Sequence, residues 1–91
     1  MIPRSLPILG REYLVRRKRM SSVGMCDFTA GIIYLQSGIK GEVAEATLIH
    51  EAIHAVLHES GLHFNWDDKF TESVVRALEH GLFRAGYRLG E

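Results

Sequence analysis

The segment from Glu42 to Ser60 constrains the fold of this chain more than any other feature. It contains good helix formers and no proline, and Ile49, Ile53 and Val56 recur with the i, i+4, i+7 spacing of one helix face. Gly61 follows directly, and glycine readily adopts the left-handed conformation found just past a helix end. The segment therefore predicts a long helix that ends near Ser60 and carries these three residues in the core.

A second helix is predicted after a short loop. Asp67 or Asp68 can cap its first turn, because a carboxylate accepts hydrogen bonds from the free backbone N–H groups there. The helical pattern continues to Ala85 and contains no proline. Its apolar residues repeat at helical spacing and are expected to face the core: Phe70, Val74, Leu78, Leu82 and Ala85.

Short segments between glycines and prolines precede the helices and are typical of strands. They run from Leu6 to Leu9, from Glu12 to Arg19 and from Ile32 to Gln36. The connecting loops are too short for helical crossovers, so antiparallel pairing is expected. The sequence predicts one α+β domain over residues 1–91, with a small antiparallel sheet of about three strands followed by two helices.

Composition excludes several classes of protein. The 91 residues suffice for one domain, and no apolar run is long enough to span a membrane. Cys26 is the only cysteine, so no intramolecular disulfide forms and a reducing cytoplasm is the expected compartment. We expect Cys26 to be a packed residue and not a nucleophile. Trp66 is expected to pack at the edge of the core.

The 11 basic and 11 acidic side chains cancel in number but are segregated along the chain. Most of the basic excess lies in one run, Arg16 to Arg19. No aromatic residues alternate with this run, as they do in platforms that stack nucleic-acid bases. A solvated strand edge is therefore the favoured interpretation, and nucleic acid is not an expected partner.

His50, Glu51 and His54 are the residues that carry chemistry. The two histidines are four residues apart on the first predicted helix, so both imidazoles project from one face and can bind one Zn²⁺. Glu51 lies about 100° away around the helix, where it can contact water at the metal but not the metal itself. This arrangement is typical of zinc hydrolases, in which the metal is the Lewis acid and the glutamate is the general base.

A catalytic zinc site needs a third protein ligand. His58 continues the i+4 series, but it lies about 12 Å along the helix from the first histidine and cannot share its metal. Three candidates remain, Glu72, Glu79 and His63. Glu72 is preferred, because the first turns of an antiparallel second helix pass the metal site. An exposed i, i+4 ion pair with Arg76 is the alternative role for Glu72.

Two segments have a familiar pattern, Thr47 to Val56 with the His-Glu-x-x-His motif and Thr71 to Leu82 on the second helix. With the glycine-punctuated strands before them, they resemble the very small gluzincin-type metallopeptidases of bacteriophage and prophage genomes, which are related to the ImmA/IrrE-type zinc peptidases. The resemblance implies a minimal zincin-like fold, with an active-site helix and a glutamate-bearing helix. It also implies that the Zn²⁺ ligands are three residues, His50, His54 and Glu72, and that the base is Glu51.

The function implied is a zinc-dependent metallopeptidase that hydrolyses a peptide or protein substrate, with Glu51 as general base on a zinc-bound water. The host-cell cytoplasm is the compartment implied for a phage-encoded protein. The strand from Ile32 to Gln36 is expected to offer an edge to the extended substrate. Tyr34, His63 and His80 are candidates to help hold the oxyanion. Because no specificity motif is evident, the alternative is a non-catalytic zinc-binding phage accessory module that binds a protein partner.

Overall fold

The computed structural model describes residues 2–89 as a four-stranded sheet and two helices. The strands are β1 (Ser5–Ile8), β2 (Arg11–Lys18), β3 (Gly24–Asp27) and β4 (Ile32–Gln36), and the helices are α1 (Gly41–Ser60) and α2 (Asp68–Arg84). The predicted α+β class, strands β1, β2 and β4 and both helices are confirmed, whereas β3 was not predicted. The termini of the predicted domain 1–91 lie outside the described residues.

The sheet is mixed, with the strand order β1-β2-β4-β3. The pairs β1–β2 and β3–β4 are antiparallel, but β2 and β4 run parallel. The expectation of a wholly antiparallel sheet was therefore wrong. Residues 19–31 form the crossover that parallel strands require, and this crossover contains a strand, β3, where a helix is more usual.

A two-residue turn joins β1 to β2. Leu9 has φ 47° and Gly10 has φ 82°, and two-residue hairpin turns of this kind need positive φ at both central positions. Leu9 therefore belongs to the turn, although the sequence predicted it as the last residue of the first strand.

The main core lies between one face of the sheet and α1. Tyr13, Ile33 and Leu35 are fully buried on that face, where they pack with Leu48 and Ala55 of α1. Alternate strand residues point to the opposite face, and no helix or strand within residues 2–89 covers it. The sheet is thus buried on one side only.

A smaller core joins the two helices. Ile49, Ile53 and Leu57 of α1 surround Val75, which is the only buried residue of α2. The prediction that Val56 belongs to the core was wrong, because Val56 is 40% exposed and Leu57 occupies the corresponding place. Both helix ends agree with the sequence. Gly61 has φ 73° after α1, and the side chain of Asp67 accepts a hydrogen bond from Phe70 N at the start of α2.

The predicted apolar face of α2 does not face the core. The side of α2 that contacts α1 carries Glu72, Val75 and Glu79, roughly a third of a turn from the predicted stripe. Four of the five stripe residues are exposed, Phe70, Leu78, Leu82 and Ala85. Within the described chain, α2 packs on α1 and on no strand. No helix of the described residues is long and apolar enough to cross a membrane.

Candidate metal centre

His50 and His54 lie one turn apart in the middle of α1, on the face turned toward α2. Both side chains are largely buried, with about one fifth of their surface exposed. Their ring centroids are 5.0 Å apart and the ring planes meet at 61°. The helix therefore brings two imidazoles to one spot, as their spacing predicted.

Glu72 reaches both histidines from α2. Its Oε1 lies 3.1 Å from His50 Nε2, and its Oε2 lies 3.4 Å from His54 Nε2. The ion pair given above as the alternative is also present, since Arg76 Nε lies 3.7 Å from Glu72 Oε1. The Arg76 side chain is 69% exposed, so water screens this pair and it stabilises the fold little.

The three side chains form a cluster that could hold a metal ion. One ligand atom from each of His50, His54 and Glu72 can be chosen so that all lie within 4.8 Å of one another. Two imidazole nitrogens and a carboxylate oxygen are donors that Zn²⁺ accepts, and three protein ligands leave a fourth tetrahedral position free. The donor set fits zinc. His63 and Glu79, the other candidates for third ligand, are not part of this cluster.

Glu79 contacts the other nitrogen of the first histidine. Its Oε1 lies 2.8 Å from His50 Nδ1. In the tautomer with its proton on Nδ1, the N–H donates a hydrogen bond to this carboxylate, and the free lone pair of the ring lies on Nε2, beside Glu72. Glu79 was expected to be either a third ligand or, more simply, a solvated residue of the helix surface, and its contact with His50 was not predicted. Its i+7 spacing from Glu72, which puts both carboxylates on one side of α2, was the available signal.

Glu51 points toward the sheet edge. It is only 8% exposed and lies against the first residue of β3. A Cβ at Gly24 would lie 2.6 Å from Thr47 Cγ2 and 3.1 Å from Glu51 Oε2. Only glycine lets this strand approach α1 so closely. The carboxylate is therefore held between α1 and β3, one residue along the helix from the first histidine.

Two groups of the site have shifted pKa values. Burial raises the pKa of Glu51, His50 partly offsets the shift, and the carboxylates of Glu72 and Glu79 raise it further. Burial also lowers the pKa of His54, and the neighbouring His50 lowers it in addition. A lowered histidine pKa favours the neutral imidazole, which is the form that binds metals.

The cluster opens into a cleft of about 360 Å³. The cleft lies between α1, α2 and residues 22–24, which lead into β3, and both His50 and Glu51 line it. Arg76 and His80 line it from α2. Of the three candidates for holding an oxyanion, His80 is therefore the one that shares a cavity with the base.

The other two oxyanion candidates lie elsewhere. His63 lines a second cavity of about 270 Å³, on the His54 side of the cluster, and its Nδ1 lies 2.8 Å from Leu57 O. Tyr34 is on the uncovered face of the sheet, where Lys18 Nζ lies 4.8 Å from the ring centroid. Tyr34 lines neither cavity.

Three further residues occupy structural positions. His58 is exposed and stacks on Phe28 with ring centroids 4.3 Å apart, away from the metal cluster. Burial raises the pKa of Cys26 to about 12, so its thiol stays protonated at neutral pH and is a poor nucleophile. Trp66 packs against the core between the helices, as predicted, and also borders the second cavity.

No model of a protein family, no curated protein and no solved structure matches this chain. The resemblance to small phage gluzincins, and the Zn²⁺ that it implies, therefore stay predictions.

Proposed function

We propose that the protein is a zinc-dependent peptidase of the minimal gluzincin type. The observation that carries this proposal is the convergence of His50, His54 and Glu72 from two helices, with the buried carboxylate of Glu51 beside them. Two imidazoles, one carboxylate ligand and one carboxylate base are the protein groups that a zinc hydrolase requires. The lone cysteine supports a reducing compartment, and we propose that the protein acts in the cytoplasm.

His50, His54 and Glu72 would hold the metal, and Glu79 would orient His50 through Nδ1. When bound, Zn²⁺ polarises a peptide carbonyl and acidifies water. Glu51 accepts a proton from the water that attacks the carbonyl carbon, and it then delivers that proton to the amine nitrogen as the C–N bond breaks. The raised pKa of Glu51 suits this shuttle, because the group must both accept and release the proton.

The edge for an extended substrate is β3. The strand from Ile32 to Gln36, β4, was expected to take this role, but it lies inside the sheet between β2 and β3 and has no free edge. β3 is an edge strand, and its first residue, Gly24, lies against Glu51 and lines the cleft. A peptide that pairs with β3 would pass close to the base. From α2, His80 is then the candidate to stabilise the oxyanion.

A non-catalytic zinc module that binds a protein partner is the second candidate, and the packing of α2 favours it. Among the helices and strands of the described chain, α2 contacts only α1, and Val75 is its one buried residue. A metal held by both helices would fasten α2 to the rest of the domain without any turnover.

Two measurements test the peptidase. The first is the zinc content per chain, by elemental mass spectrometry after gel filtration without chelator. The second is cleavage of a peptide library by the zinc-loaded protein and by Glu51→Gln, with Glu42→Gln as the matched control on an exposed position of the same helix. We expect one zinc per chain in all three proteins, and a loss of cleavage of about 100-fold or more in Glu51→Gln only.

Equal cleavage by the two glutamine variants would reject Glu51 as the base. Zinc binding without cleavage of any peptide would favour the second candidate. If zinc stays absent after it is added back, both candidates fail.

A further inference from the structure

The side of the sheet away from the helices forms an uncovered surface, here called the open face. By alternation and register it carries Leu14, Arg16 and Lys18 of β2 and Ile32 and Tyr34 of β4, together with two carboxylates, Glu12 of β2 and Asp27 of β3. Parallel strand pairs in proteins are usually covered on both faces. The parallel pair β2–β4 is covered on one face only, so its other face is available to a ligand.

The basic run of the sequence lies on β2 and just after it. None of the four residues from Arg16 to Arg19 forms an ion pair with a carboxylate in the part of the chain described, 2–89. Arg17 instead donates hydrogen bonds to the backbone oxygens of Gln36 and Ile39. Arg16 and Lys18, which alternate onto the open face, therefore place their charges at one end of that face, where an anionic ligand can reach them.

The sheet also brings an aromatic ring to these charges. Tyr34 is paired in register with Arg16 on one side and with Met25 on the other. Lys18 Nζ lies 4.8 Å from the centroid of the Tyr34 ring. No aromatic residue alternates with the basic run in the sequence, and this counted against nucleic acid as a partner. The neighbouring strand supplies the ring instead.

We propose that the open face binds single-stranded nucleic acid. A base stacks on the ring of Tyr34 in place of the Lys18 ammonium, and Lys18 then joins Arg16 in contacting the phosphates. A sheet face with an aromatic ring beside basic side chains suits stacked bases and a charged backbone. An acidic protein segment would satisfy the charges but would leave the flat ring without a matching planar group. The site lies across the sheet from the metal cluster and does not depend on peptidase activity.

Fluorescence anisotropy of a labelled single-stranded oligothymidylate tests the proposal with the full chain. A probe of about 12 nucleotides matches the site sizes of single-strand binders. We expect binding at about 50 mM salt that weakens as salt is raised, because bound phosphates release counterions. No binding at about 100 µM protein in low salt, where even non-specific complexes form, would overturn the proposal.

Two matched pairs of variants locate the site. Lys18→Glu should weaken binding at least about fivefold, whereas Lys69→Glu, the same change on the exposed start of α2, should alter it less than about twofold. Tyr34→Ala should weaken binding at least about fivefold, whereas Tyr34→Phe keeps the stacking ring and should bind within about twofold of the original chain.

Equal effects of the two lysine changes, or no effect of Tyr34→Ala, would reject the open face as the site. Polyglutamate and unlabelled oligothymidylate are compared as competitors of the labelled probe at equal total charge. Equal competition would identify an acidic protein ligand and so overturn the proposal. Circular dichroism of each variant checks folding. If Lys18→Glu fails to fold, Lys18→Ala with Lys69→Ala as its control gives the same comparison.

Discussion

At the scale of single residues, the two nitrogens of His50 have different partners. Nε2 lies 3.1 Å from Glu72 and Nδ1 lies 2.8 Å from Glu79. A carboxylate behind a ligating histidine fixes the ring and its tautomer. In the proposed zinc site, metal affinity would therefore depend on Glu79 as well as on the three candidate ligands.

Replacement of Glu79 tests this dependence. We expect Glu79→Gln to lower zinc affinity about 10-fold or more, since the amide replaces a charged acceptor with a neutral one. Competition with a chromophoric chelator measures the affinity. The control is Glu12→Gln on β2, far from the cluster and exposed, which should leave zinc affinity unchanged. Equal affinities for the two variants would show that the contact between Glu79 and His50 has no effect on the metal.

At the scale of elements, side-chain contacts of Glu59 attach the C-terminal end of α1 to β2. The hydroxyl of Tyr13 on β2 donates a hydrogen bond of 2.6 Å to Glu59 Oε2, and Arg11 Nη1 lies 3.1 Å from the same oxygen. The Tyr13 hydrogen bond is the main reason why the pKa of Glu59 lies below its usual value, and Arg11 lowers it as well.

Because these contacts lower the pKa of Glu59, the free energy of unfolding is expected to depend on pH. A lowered carboxyl pKa means that the folded state favours the ionised group, so its contribution is complete above the usual pKa of 4.5 and is lost as pH falls through the lowered value. Tyr13→Phe should therefore destabilise the protein at pH 7, and its difference from the original chain should shrink toward pH 3. Urea denaturation at both pH values measures this. Tyr34→Phe is the control, and a pH-independent difference for Tyr13→Phe would contradict the prediction.

The elements also mark the limit of prediction from sequence. The helices were predictable because Gly61 and Asp67 are strong end signals and because apolar residues recur in α1. Strand β3 could not be predicted from the sequence, because Gly24, Met25 and Cys26 lack the β-branched and aromatic character of β4. Its place in the sheet depends on a close approach to α1. The parallel direction of β2 and β4 likewise follows from tertiary packing and has no local signal.

The candidate site was likewise predictable only in part from the sequence. His50 and His54 follow from helical spacing, and Glu72 was preferred for its place on the second helix. The contact of Glu79 with His50 depends on how α2 is rotated about its axis. The apolar pattern of the sequence predicted a different rotation. Leu78 and Leu82 suggested an apolar contact face, but α2 turns its carboxylates toward α1 and leaves these leucines beside a cavity of about 450 Å³.

At the scale of the whole molecule, the metal site would connect α2, the least integrated element, to α1. α1 packs on the sheet, whereas α1 is the only helix or strand of the described residues that α2 contacts. Two of the candidate ligands belong to α1 and one belongs to α2. A bound ion would therefore add its binding free energy mainly to the attachment of α2.

Metal removal tests this arrangement. Zinc at about 100 times its dissociation constant adds about 2.7 kcal/mol, which corresponds to a rise in Tm of about 10 °C or more for a chain of this size. Hydrogen exchange should slow in α2 on zinc addition far more than in β1 and β2. Glu72→Ala should abolish both effects. An unchanged Tm, or protection spread evenly over the sheet, would contradict the prediction.

The strand crossover also bears on how the chain reaches its native state. β3 and β4 are joined by residues 28–31 only, so their hairpin closes a short loop, on a timescale of about microseconds. Pairing of β4 with β2 must close a longer loop and is correspondingly slower. We therefore expect β3 and β4 to form first and to join β2 as a unit. β3, whose Gly24 lies against Glu51, would then already be paired with β4 when it packs against α1.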